Sequence, residues 1–313
     1  MTTAATRPSG DGGAFHHEAF LYEGAEEFLA GTAAFVREGL SAGEPVLVAV
    51  DATSAARVRE RLPDSARVRW VDVTSIGRNP ARITTLWQEF VARTGGGALR
   101  GVGEPIWPLR SPAELAECQR HEELLNLAFA GEPSFRLLCP YDRQALDPAV
   151  IAEARRSHPT LIESSTARRS DDYRGLEAAS APFDAPLSEP PAVASEDAVD
   201  GLSELALFGL VKARSADAGL GTRRARDLAV AVLAAEDSLR PGDGVRRLRV
   251  WEEDATLICE LRVSSVLHDP LAGRHPPSAR PEARGLWLAN QLCDLVELRS
   301  FPTGTVARLH MMA

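Results

Sequence analysis

Short apolar runs alternate with helical apolar spacing along residues 15–170. AFLY (19–22) reads as a first strand. Phe28, Leu29, Phe35, Val36 and Leu40 then fall on one helical face, which predicts a helix over 25–40. VLVAV (46–50) is a continuous apolar run, as a strand buried on both faces requires. The same alternation predicts a helix over 53–62, a strand over 68–73 and a helix carrying Ile83, Leu86, Trp87, Phe90 and Val91. A strand from Leu99 enters the loop Gly103-Glu104-Pro105. Ser111-Pro112-Ala113-Glu114 places an N-cap, a first-turn proline and a capping-box carboxylate in register, so a helix starts there and runs to about Phe129. Strands over 135–142 and 160–164 flank a helix over 148–157. Such alternation implies a parallel sheet covered on both faces.

The pattern breaks at 168–201, where Pro, Ala, Ser and acidic residues dominate. That composition predicts a linker between two folding units. From Leu202 the order changes to two helices, strands over 246–253 and 255–263, a Gly/Pro-rich loop over 268–284, a helix over 285–293 and a final hairpin around Pro302-Thr303-Gly304. Helices followed by antiparallel strands imply an α+β sandwich.

Composition narrows the function classes. The net charge of -9 lacks the basic stripe of a nucleic-acid or anionic-membrane binder. No run of about 18 apolar residues is present, and residues 1–14 carry no export signal and read as a disordered tail. A cytoplasmic protein is expected. Cys118, Cys139, Cys259 and Cys293 are widely spaced and read as free, buried thiols. Lys212 is the only lysine, so residues 1–211 hold no Walker-type phosphate loop.

In open parallel sheets, ligands bind beyond the carboxyl ends of the strands. Glu104 and Asp142 follow two predicted strands, His158 precedes the last one, and His121-Glu122 lies mid-helix beside Leu124 and Leu125. These five are the candidate small-ligand residues. Singly, each also fits a turn, a cap or a satisfied core histidine. No HxxxH or HxxE spacing is present, so no metal site is expected. An unrelated small-molecule enzyme built on Glu104, His121 or His158 would lack a nucleophile, base and orienting group.

HEAFLYEGAEEFLAGTAAFVREGLSAGEPVLVAV, GVGEPIWP, RHEELLNLAF, LLCPYD and SHPTLIE together resemble the MEDS sensory domain. The resemblance implies a non-catalytic, RecA-like α/β sensor over 15–167. AEDSLRPGDG (235–244), DPLAGR (269–274), ARGLWLANQLCDLVELRS (283–300) and GTVARLHM (304–311) resemble the histidine-kinase-like ATPase (GHKL) domain of anti-sigma regulatory factors. That likeness covers 202–313.

The second resemblance also implies where a nucleotide would sit. The family's Mg²⁺-binding Asn is matched by Asp237 and its activating Glu by Leu233. The Asp and Gly of its adenine motif are matched by Val263 and Ser265. Arg284-Gly285 keeps the last glycine motif at a helix start, where phosphate binds well. Leu233 has no titratable group, and Val263 accepts no hydrogen bond. The expectation is a degenerate, pseudo-kinase site with ATP and Mg²⁺ doubtful. The expected role is a regulator whose sensory half controls binding of a sigma factor or an anti-anti-sigma protein. An active serine kinase working through Asp237 is the alternative. The resemblance also allows a homodimer.

Overall fold

The computed structural model describes residues 15–131, 134–180, 186–239, 246–279 and 284–313. The expected disordered tail lies outside these residues. The chain divides into two compact units, residues 1–180 and 181–313. Among the described residues, no helix is long and apolar enough to cross a membrane.

The first unit runs β1 (His16–Tyr22), α1 (Gly24–Ser41), β2 (Val46–Val50), α2 (Ala52–Glu60), β3 (Val68–Asp72), α3 (Val73–Ile76), α4 (Pro80–Arg93), β4 (Leu99–Gly103), α5 (Pro112–Ala128), β5 (Phe135–Asp142), α6 (Pro148–Ser157), β6 (Thr160–Glu163), β7 (Thr166–Arg169) and α7 (Leu176–Ser180). Its seven strands are ordered β3-β2-β4-β5-β1-β6-β7. All neighbours pair in parallel except β6 and β7.

The expected all-parallel sheet is therefore corrected to a mixed one. Ser164 and Ser165 take φ of 47° and 63°, a tight turn that folds β7 back on β6. The stretch read as a linker from residue 168 thus begins inside a hairpin.

The period of two along each strand sorts the core into two layers. Phe20, Val48, Val50, Val102 and Leu138 face α1 and α2, meeting Phe28, Phe35, Val36 and Val58. Ala19, Leu21, Leu137, Cys139 and Tyr141 face the opposite side, meeting Trp87 and Phe90 of α4, Leu125 and Phe129 of α5 and Ala154 of α6. The Trp87 indole lies directly on β4. A Cβ at Gly101 or at Gly103 would stand 2.8 Å from its ring, so both positions need glycine.

The second unit runs β8 (Ser195–Ala198), α8 (Glu204–Asp217), α9 (Thr222–Leu239), β9 (Arg246–Glu253), β10 (Thr256–Val263), α10 (Arg284–Leu292), β11 (Leu295–Phe301) and β12 (Gly304–Met312). Its antiparallel sheet is ordered β11-β12-β10-β9-β8. Strand β8 comes from the stretch read as a linker and pairs with β9. Leu207, Val211, Leu228, Val232, Leu239, Leu286 and Ala289 of the helices pack on Leu248, Leu257, Cys259, Leu261, Leu309 and Met311 of the sheet.

The other sheet face carries a row of alternating charge. Register aligns Glu196, Arg249, Glu260, Arg308 and Glu297 across five strands. Arg308 Nε donates to Glu260 Oε2 at 2.8 Å and Arg249 Nε to Glu196 Oε2 at 2.6 Å. Ser188 lies over the row, its carbonyl accepting from Arg308.

Candidate functional site

Four side chains from four elements converge in the first unit, under the α5/α6 face of the sheet. Strand parity puts His17 of β1 on the same side as Ala19 and Leu21, and Cys139 of β5 beside it. Glu122 projects from the middle of α5, and His158 follows α6. One ligand atom from each, all four residues buried, lies within 4.8 Å of the others. His17 Nε2 is 2.9 Å from Glu122 Oε2 and 3.4 Å from Cys139 Sγ. His158 Nε2 is 3.2 Å from the same carboxylate oxygen but makes no hydrogen bond there. The two imidazole centroids are 3.9 Å apart.

The hydrogen bonds behind the rings fix their orientation. Asn126 Nδ2 donates to the carbonyls of Ser157 (2.7 Å) and Glu122 (3.3 Å), which leaves Asn126 Oδ1 to accept from His17 Nδ1 at 3.1 Å. His158 Nδ1 donates to the carbonyl of Ala154 at 2.8 Å. A neutral imidazole carries one N–H. With both Nδ1 atoms protonated, both Nε2 atoms present lone pairs to Glu122.

Burial, with the neighbouring His158, lowers the pKa of His17 to about 4 and keeps it neutral. Burial, then the Glu122 charge, pushes the Cys139 thiol well up. The cluster thus gathers three acceptor atoms around one thiol proton, a donor set of metal-ligand type.

The five residues expected to line one pocket separate into three places. Glu122 and His158 enter this cluster. His121, one residue earlier, faces α4 and is hydrogen-bonded to Thr84 Oγ1 at 3.0 Å. Glu104 and Asp142 stay at the carboxyl ends of β4 and β5. There Tyr22 Oη donates to Glu104 Oε1 at 3.3 Å. Burial, then the charge of Asp51 and later of Asp142, raises Glu104 to about 8. Asp142 Oδ1 accepts from the Gln144 amide and Asp51 caps α2, so both also serve local turns.

Sequence spacing did not single out His17, Cys139, Asn126 or Tyr22. The one local signal for His17 was parity: extending AFLY back two residues places it on a buried face.

In the second unit, Val263 is buried and Leu233 packs against the core. Ser265 Oγ donates to the Leu239 carbonyl. The Leu286 amide in the first turn of α10 is taken by Ser238 Oγ at 3.2 Å. Gly285 abuts α9, where an added Cβ would stand 1.9 Å from the Ala234 carbonyl oxygen. Asp237 and Arg284 are exposed.

No curated protein matches the chain. The sequence model of the MEDS family, described as the methanogen/methylotroph, DcmR sensory domain, matches residues 16–159. That span opens on β1, closes beside His158 and takes in all four clustered side chains, so the first unit carries a MEDS sensory domain.

Proposed function

We propose that the chain is a signal-transduction regulator. In this reading the MEDS domain senses a signal and controls a C-terminal histidine-kinase-like domain, which binds a sigma factor or an anti-anti-sigma protein. The MEDS match supports the signalling role. The partner-binding reading of the second unit rests on its likeness to anti-sigma regulatory factors.

The state of the matched nucleotide positions favours binding over phosphotransfer. The carrying observation is the first turn of α10. Its Leu286 amide is capped by Ser238 and its glycine is used against Ala234. A helix N-terminus spent on protein contacts has less to offer a phosphate. Val263 and Leu233 contribute to the core where a nucleotide kinase needs polar groups, and Ser265 is held by Leu239.

Affinity capture from the native host, with the full chain as bait, tests the reading. A sigma factor or an anti-anti-sigma protein is the expected prey. Isothermal titration of the same chain with Mg-ATP is expected to show no micromolar binding, and incubation with the captured partner and ATP no phosphoserine. Phosphorylation of the partner, lost on Asp237→Ala, would establish the active-kinase reading instead.

A further inference from the structure

We propose that His17, Glu122, Cys139 and His158 form a closed, four-ligand site for a divalent transition ion of the zinc class. The inference goes beyond the signalling role and does not depend on it.

Geometry is the first support. Zinc bonds of about 2.0–2.3 Å in a tetrahedron require ligand atoms roughly 3.3–3.8 Å apart. The four donor atoms already stand close to that, with contacts of 2.9, 3.2 and 3.4 Å and none beyond 4.8 Å. Closing on an ion needs only small rotations.

The second support is the hydrogen bonding of the ligands. Metal-bound imidazoles characteristically donate their far N–H to a carbonyl or carboxylate, which fixes the ring and its tautomer. Here both far nitrogens do so, His17 to the Asn126 side chain and His158 to the Ala154 carbonyl. Asn126 is itself locked by the Ser157 carbonyl. Both free lone pairs then point at Glu122, whose second oxygen, Oε1, has no hydrogen-bond partner among the described residues. Lone pairs facing a carboxylate repel unless a cation stands between them.

Charge is the third. The ion enters with two positive charges and displaces the Cys139 thiol proton to solvent. Thiolate and Glu122 carboxylate together cancel the ion, so the loaded site is neutral, as a fully buried site should be. A thiolate beside two imidazoles favours zinc over magnesium or calcium, which prefer all-oxygen shells. Four protein ligands with no solvent-facing position mark a site that holds its ion rather than one that activates water.

The test uses the full chain with any affinity tag removed, refolded with Zn²⁺ or Co²⁺ and dialysed. One ion per chain is expected by plasma mass spectrometry. Cobalt should give tetrahedral ligand-field bands in the visible and a thiolate charge-transfer band in the near ultraviolet. Cys139→Ser should abolish the charge-transfer band, while Cys118→Ser should leave it intact. Asn126→Ala, which touches no ion, should weaken affinity about 10–100-fold. A folded wild-type chain that takes up neither ion overturns the proposal without recourse to any variant. A charge-transfer band that survives Cys139→Ser overturns it as well.

Discussion

Gly285 lies against the carbonyl oxygen of Ala234, with no room for a methyl group between α10 and α9. Gly285→Ala should therefore push the helices apart, at a cost of about 1–3 kcal/mol or more. Hydrogen exchange over α9 and α10 in the full chain should rise whether or not ATP is present. Unchanged protection would show that the glycine serves something other than packing.

Glu104 gives the first unit a pH dependence of definite sign. Its folded pKa, about 8, lies above the ordinary carboxyl value, so the folded state binds a proton that the unfolded chain releases. Stability should fall as pH rises from about 4.5 to 8 and be flat beyond. The loss should be at most about 1.4 kcal/mol for each pH unit crossed in that window. Glu104→Gln should flatten this slope in urea unfolding across the same range. A slope that persists in the variant would assign the effect to another group.

Asn126 ties α5 to the end of α6 through the Ser157 carbonyl and to β1 through His17. Asn126→Leu leaves the Ser157 carbonyl and His17 Nδ1 without their partners, at about 1–3 kcal/mol. Thermal unfolding of the chelator-treated protein isolates this cost from any contribution of an ion. A melting temperature equal to that of the wild type would show that other groups take over both bonds.

Glu260 is fully buried and flanked by Arg308 and Arg249 on neighbouring strands. Glu260→Ala should cost about 3–5 kcal/mol because Arg308 keeps a buried charge without its counter-ion. Pairing it with Arg308→Leu should recover much of the loss. A double variant no more stable than Glu260→Ala would show that the row acts through more than this pair.

Much of the fold was legible in local pattern. VLVAV marked β2, FRLLCPYD marked β5, and the expected capping box forms between Ser111 and Glu114. Strands β7 and β8 escaped because their residues are polar or small and their pairing is set by partners rather than by their own apolar period. The candidate site was half legible. Glu122 and His158 carry recognisable chemistry, but His17 and Cys139 join them only through strand order. No short spacing can encode a contact between residues 122 positions apart.

That separation also governs how the first unit comes into being. Strand β1 is made well before β5 and β6, its strand partners among the described residues. During synthesis at about 5–20 residues per second, β1 waits on the order of ten seconds for a neighbour. Until then its apolar face has no sheet to join, and α1, packed on β1's own layer, lacks half its floor. Strand β1 and α1 should be the part of the nascent domain exposed longest to chaperones, gaining protection from proteolysis on the ribosome only once β5 has emerged.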